Sequence, residues 1–461
     1  MVQGTASSVG KTVLVAGLCR YFANLGLRVA PFKSQNMALN SFATLDGLEM
    51  GRAQAVQAQA CRIEPRVEMN PILLKPEADH RSQVMVMGRV DGRLEAAAYY
   101  REKPRLLGVV AAALAALRAE YDLVIIEGAG SPAEVNLAEH DIVNMRVAEL
   151  ADAPVLLAGD IDRGGVFAAL LGTLELLPPS QRDRVKALLI NKFRGDRSLL
   201  DPGLEFIVQR TGKPVLGVVP YVHELGLPEE DSVALDGATG DGPIAVVKLP
   251  HIANFDDFDP LPVRYVTRPE ELKGAAAVIL PGTKATVSDL GWLREQGLAA
   301  AIEQCRVPVV GICGGFQMLG QRILDPLAVE SSDGEVAGLG LLPIETVFAA
   351  QKTTVQARGV VLAGGETLEA YQIHMGRTEL LDGAAPFARL SDGSLDGAVK
   401  GRAWGTYLHG LFHNTASRAA WLGSLGLEAS TSPVTDPFDR LASVLANSLD
   451  LGMLSRIVGI G

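Results

Sequence analysis

The stretch Gly4-Thr5-Ala6-Ser7-Ser8-Val9-Gly10-Lys11-Thr12 opens the chain almost at once, and the amphipathic run Val13–Asn24 follows it. A glycine-rich turn between strand and helix aims several backbone N–H groups at one point, where helix polarity also favours an anion. Gly4 and Gly10 let the backbone approach a phosphate closely, Lys11 reaches the outer phosphates, and Thr12 holds Mg²⁺. The loop carries one residue more between its glycines than the common form. Only Met1, Val2 and Gln3 precede Gly4, so either the natural start lies upstream or the strand that feeds the loop is very short.

Working outward, short apolar runs alternate with longer amphipathic ones, the pattern of βαβ units. Strands are expected at Leu27–Phe32, Tyr121–Ile126, Pro154–Ala158, Val185–Ile190 and Val215–Val219, with a helix over Arg105–Glu120. The carboxyl ends of parallel strands form the ligand crevice, which gives Lys33 and Glu127 meaning. Glu127 would complete the Mg²⁺ shell with Thr12, because hard cations take oxygen ligands. Lys33 would neutralise phosphate or an acyl phosphate. The small, polar run Leu235–Gly242 then reads as a linker. A second α/β pattern follows, with strands expected at Ile244–Leu249, Ala276–Leu280 and Val307–Ile312. The fold class is therefore α/β with two doubly wound domains, over residues 1–236 and 243–461. Gly338–Tyr407 is richer in short strand-like pieces, and Pro437–Ile457 reads as helical.

The second half holds Gly311-Ile312-Cys313-Gly314-Gly315 at a strand-to-helix junction. A nucleophile elbow needs glycines on both sides, since its sharp turn leaves no room for side chains. The helix N-terminus favours the thiolate of Cys313. A base must lie within reach, and His409, at the end of the apolar run Trp404–Leu408, is the best of seven histidines; His374 and His413 are alternatives. Backbone N–H groups at Gly282 and Gly314 would form an oxyanion hole. Cys19, Cys61 and Cys305 lie in apolar patterns and read as packing residues.

Gly4–Thr12, Phe32-Lys33, Asn70-Pro71 and Glu127–Gly130 are similar to the dethiobiotin synthetase group, whose members activate carboxylates with ATP. The resemblance implies a P-loop NTPase domain with a parallel sheet, and places Asn191 and, more weakly, Pro220 at the adenine base. The second half resembles a flavodoxin-like class I glutamine amidotransferase domain, with L-glutamine as nitrogen donor. In most of that family a glutamate two residues after the catalytic histidine orients the ring. Leu411 stands there, which points to a Cys–His dyad with another group or water orienting His409.

Phe32–Asn40, Asn70–Pro76, Asp160–Phe167 and Asn191–Asp196 together resemble the cobyric acid synthase family over nearly the full chain. That resemblance implies ATP- and glutamine-dependent amidation of a corrinoid polycarboxylate at four side-chain carboxylates, b, d, e and g. Lys33, Lys75, Arg163, Lys192 and Arg194 lie in the matching motifs and would meet such a polyanion. Tyr371–Thr378 also resembles the family, without a deducible role. The runner-up, cobyrinic acid a,c-diamide synthase, is disfavoured by Ser34-Gln35-Asn36. A partition-type ATPase carrying a relic amidotransferase is disfavoured by the intact cysteine turn.

The bulk numbers agree. A chain of 461 residues calls for two or three domains, and 48% hydrophobic with 21% charged residues describes an ordinary globular protein. A net charge of −11 argues against nucleic-acid binding. The chain shows neither a membrane-length apolar run nor signal-peptide regions, so a cytoplasmic enzyme is expected; homo-oligomerisation is left open.

Overall fold

Val2–Gly4 is a strand of three residues, and short as it is, it lies at the centre of a parallel sheet. It pairs along Val155–Asp160, which continues to Val185–Phe193 and Val215–Pro220. On its other side Val2 pairs with Glu127, at the end of Leu123–Ile126, which in turn pairs with Val29–Phe32. The chain therefore reverses its direction across the sheet at Val2–Gly4, and the phosphate loop leaves the sheet at that switch point. Every strand expected in this half is present within a few residues. The computed structural model describes residues 1–78, 81–222, 240–428 and 436–460. The linker reading at 235–242 falls largely outside them.

Two compact units divide the chain, and neither is contiguous. The first comprises Met1–Met37, the described part of Met50–Leu227 and that of Pro433–Gly461. The second takes Ala38–Glu49 and the described part of Pro228–Ser432. Relative to a division of the sequence at 236/243, two segments make their contacts in the other unit. Helix Pro437–Ser448 joins the first unit because its apolar stripe, Leu441 and Leu445, packs with Leu14, Leu18 and Phe22 of helix Lys11–Asn24. Ala38–Glu49 joins the second unit because its side chains are satisfied there, as described below.

In the first unit, a hairpin system over Ile72–Ala78, Arg81–Val86 and Arg89–Glu95 precedes the long helix Ala96–Glu120. Only the latter part of that helix is legible from periodicity, because Pro104 interrupts it. The second unit has a sheet ordered Val263–Val266, Ile244–Val247, Ala277–Leu280, Val309–Ile312, Ala403–Thr406, Ala398–Lys400. The first five are parallel and the last is antiparallel. A second sheet is built on the long strands Ile344–Val361 and Thr367–Leu380. No helix among the described residues is long and apolar enough to cross a membrane.

Candidate active site

The phosphate loop is held by its own glycines. Gly10 has φ +92°, and a Cβ there would sit 2.4 Å from Asn191 Nδ2. A Cβ on Gly4 would lie 2.4 Å from Val9 Cγ2 and 3.1 Å from Lys11 Nζ. Asn191 donates to the Val9 carbonyl at 2.8 Å, and Lys192 donates to the Ser8 carbonyl at 2.6 Å. Lys11 donates to the carbonyls of Ala6 and Gly130 at 3.0 and 3.1 Å.

Glu127 is 1% exposed and collects three donors. Thr12 Oγ1 donates to Oε1 at 2.9 Å, and the Lys33 ammonium pairs with the same oxygen at 2.8 Å. Gln57 donates to Oε2 at 2.5 Å. An acid that deep in the protein is tolerable only when paired and hydrogen-bonded. The oxygen pair of Thr12 and Glu127 suits a hard cation. Sequence reading missed Gln57. Gln54 and Gln57 are polar positions that helix Arg52–Ala60 buries completely, a burial that only the fold reveals. Asn70 supports the cluster by donating to the Lys33 carbonyl at 3.0 Å.

The basic residues expected to greet a polyanion are compensated. Lys192 pairs with Asp160 at 2.9 Å, and Arg163 lies 3.9 Å from the same carboxylate. Arg194 pairs with Asp162 at 2.8 Å and stacks over Tyr221 at 3.6 Å. Lys75 is buried.

In the second unit Cys313 has φ +51° and ψ −109°, outside the regions an L-residue prefers. Two glycines make that turn affordable. A Cβ on Gly311 would meet Gly315 at 2.7 Å, and one on Gly315 would meet the Leu280 carbonyl at 2.0 Å. Helix Gly314–Met318 starts directly after the cysteine.

His409 is 2% exposed and borders Gly282 together with Cys313, whose thiol donates to the Ile373 carbonyl at 3.6 Å. His409 Nδ1 donates to Asp257 Oδ2 at 2.7 Å, and the Gly410 amide donates to Asp257 Oδ1 at 2.7 Å. Asp257 thus stands on the His409 ring where the sequence, with Leu411, left the orienting group open. Leu411 itself packs in a small apolar cluster. Asp257 stands in the one-turn segment Phe255–Phe258, far from His409 in sequence, which is why spacing rules did not find it. Burial favours the neutral ring, but the charge and hydrogen bond of Asp257, with Cys313, outweigh it and raise His409 to about 10. The site thus favours imidazolium beside the sulfur.

The alternative histidines are engaged elsewhere. His374 donates to the Gly376 carbonyl at 2.7 Å, stacks on Tyr407 and is lowered by burial to about 4. His413 donates to the Asp256 carbonyl at 3.0 Å. Gly282 borders the pair: a Cβ there would lie 3.2 Å from His409 Cε1 and 3.8 Å from Cys313 Cβ. One on Gly314 would meet Thr283 Cγ2 at 2.6 Å. The 281–284 turn is braced by Thr283, which donates to Asp289 Oδ2 at 2.5 Å, while Asp289 Oδ1 accepts from His251 at 2.7 Å.

Two family models match the chain. The CobQ/CobB/MinD/ParA nucleotide binding domain covers residues 1–233, and the CobB/CobQ-like glutamine amidotransferase domain covers residues 243–417. Cobyric acid synthase of Sorangium cellulosum is 52% identical across 100% of this chain and 98% of its own length. That of Roseiflexus castenholzii is 51% identical, across 100% and 99% respectively. That of Chloroflexus aurantiacus is 52% identical, across 99% and 98%.

Proposed function

This chain belongs to the cobyric acid synthase family, and from that premise we propose a division of labour between its two sites. The enzyme is a glutamine-dependent amidotransferase of cobalamin synthesis. Its substrate is a corrinoid, adenosylcobyrinic acid a,c-diamide, amidated at carboxylates b, d, e and g to give adenosylcobyric acid.

In the first unit the backbone amides between Gly4 and Gly10, with Lys11, bind the triphosphate of ATP. Asn191, whose side-chain amide donates to the Val9 carbonyl of the loop, contacts the adenine. A substrate carboxylate oxygen attacks the γ-phosphorus, ADP leaves, and an acyl phosphate forms. Lys33 screens the oxygens among which the charge is shared. Thr12 and Glu127 would hold Mg²⁺, which supplies charge neutralisation to the phosphates when bound.

In the second unit the Cys313 thiolate attacks the carboxamide carbon of glutamine. The oxyanion that develops is received by the backbone amides at Gly282 and Gly314. His409 gives its proton to the departing nitrogen, so ammonia leaves and a thioester remains. His409, again basic, takes a proton from water as the water adds to the thioester, and glutamate is released. Asp257 keeps Nδ1 protonated and thereby aims Nε2 at the reacting atoms. Ammonia then displaces phosphate from the acyl phosphate, completing the amide.

The observation that carries this reading is the Asp257–His409–Cys313 arrangement on a chain that also has an intact phosphate loop. The relic reading loses its footing, because a decayed site has no reason to retain a buried acid on its histidine. The runner-up of earlier amidation is disfavoured by full-length relatives that bear the cobyric acid synthase name. The test supplies ATP, Mg²⁺, glutamine and the corrinoid diamide, then counts amides by mass spectrometry. Four additions are expected, and activity confined to the fully acidic precursor would overturn the assignment. Ammonium should restore amidation to Cys313→Ser but not to Lys11→Ala, which lacks the activation step.

A further inference from the structure

The stretch Ala38–Glu49 lies in sequence within the ATP half, yet it folds into the amidotransferase unit. Its polar groups are buried there rather than solvated. Asn40 and Ser41 are 2% and 1% exposed, and Asn254, which they meet, is 3% exposed. The Asn254 amide donates to Asn40 Oδ1 at 2.7 Å, and the Ser41 amide donates to Asn254 Oδ1 at 3.1 Å. Asn254 Nδ2 donates to the Ser41 carbonyl at 3.2 Å and to the Tyr371 hydroxyl at 3.1 Å. Phe42 packs its ring on Tyr371 at 5.3 Å, Gln356 donates to the Ala43 carbonyl, and Lys352 pairs with Glu49.

Both ends of this network reach the triad. Asn254 takes the left-handed conformation, φ +52°, that starts the Phe255–Phe258 turn, and its carbonyl accepts from the Asp257 amide at 3.1 Å. Tyr371 stacks on the His409 ring at 5.3 Å with planes 24° apart. The two residues also exchange backbone hydrogen bonds of 2.8 and 3.1 Å. Asn254 therefore touches the backbone of the acid and the ring that covers the histidine. Buried polar groups with fixed partners have little freedom to settle in another arrangement.

We propose that Ala38–Glu49 is the positioning element of the glutaminase, acting through Asn254 on Asp257 and through Tyr371 on His409. The element continues without a break from Gln35–Met37, a strand of the ATP unit five residues or fewer from Lys33. Glutamine hydrolysis is thereby made to depend on the segment that issues from the ATP half. The inference rests on the triad reading given above.

The test is Asn40→Ala in the full chain. The expected result is a fall in kcat for glutamine-dependent amidation of about 10–100-fold, the penalty for a catalytic group displaced on the ångström scale. KM for glutamine should be little changed, and ammonium-driven amidation should stay at the wild-type rate. Asn40→Asp, which keeps the acceptor for the Asn254 amide, should recover most of the loss. Phe42→Leu, at a half-buried position that tolerates the change, should show the same pattern more weakly. An unchanged glutamine kcat in Asn40→Ala and Phe42→Leu would overturn the proposal, as would an equal fall with ammonium. If Cys313→Ser and Asp257→Asn also left glutamine hydrolysis intact, the triad reading itself would be the failure.

Discussion

Asp257 decides what the histidine can do. Its carboxylate holds a proton on a ring that burial would otherwise strip, and the balance stands at about 10 against an ordinary 6.5. Between those values the folded protein keeps a proton the unfolded chain has lost, so this group's stabilisation is complete below pH 6.5 and drains away as pH rises through 10. Asp257→Asn should remove that dependence and bring the alkaline limb of glutamine hydrolysis to lower pH. The rate at neutral pH should fall by roughly 10²-fold or more, read from kcat/KM profiles. A profile and rate matching wild type would deny Asp257 its role. Lys33 raises the same issue from the side of stability. Lys33→Met leaves Glu127 buried beside neutral donors alone, and urea unfolding of the first unit should show a loss of about 3 kcal/mol.

Among the elements, the cysteine turn is the least forgiving. Gly315→Ala would place its methyl 2.0 Å from the Leu280 carbonyl, a backbone atom of a central strand that cannot step aside. Loss of glutamine hydrolysis with retained ammonium-driven amidation is expected. Gly108, on the exposed face of Ala96–Glu120, has nothing within 4 Å of a new methyl. Gly108→Ala should therefore raise stability by about 0.5–1 kcal/mol, measurable by denaturant titration. This contrast also explains what was legible beforehand. Gly4–Thr12 and Gly311–Gly315 could be read because close approach leaves glycine as the one residue that fits, and a short window contains the whole requirement. Most strands were legible because both their faces are buried and their residues run apolar. Asp257, Gln57 and Asn254 were not, because each acts on a partner brought near only by the fold. The hairpins after Asn70 escaped as well: Arg89–Glu95 is mostly exposed, so its residues carry no clear apolar alternation.

At the scale of the molecule, each unit borrows from the other's stretch of sequence. Cutting the chain after residue 428 should damage the ATP unit first, since it removes Leu441 and Leu445 from the core around helix Lys11–Asn24. Leu445→Ala samples the same contact more gently, with an expected loss of about 2–5 kcal/mol and a lower ammonium-driven rate. A fragment that starts at residue 240 should fold poorly as a glutaminase, because it lacks Asn40, Ser41 and Phe42. The borrowed helix has a further consequence during synthesis. Pro437–Ser448 leaves the ribosome after the described amidotransferase residues, although helix Lys11–Asn24, against which it packs, leaves before most of them. The described residues of the amidotransferase unit all precede Pro437–Ser448, while the ATP unit waits for that helix before its core can close. A stalled or truncated chain would hold a finished glutaminase and an unfinished synthetase, and pulse-labelled proteolysis of nascent chains should reveal protection arriving in that order.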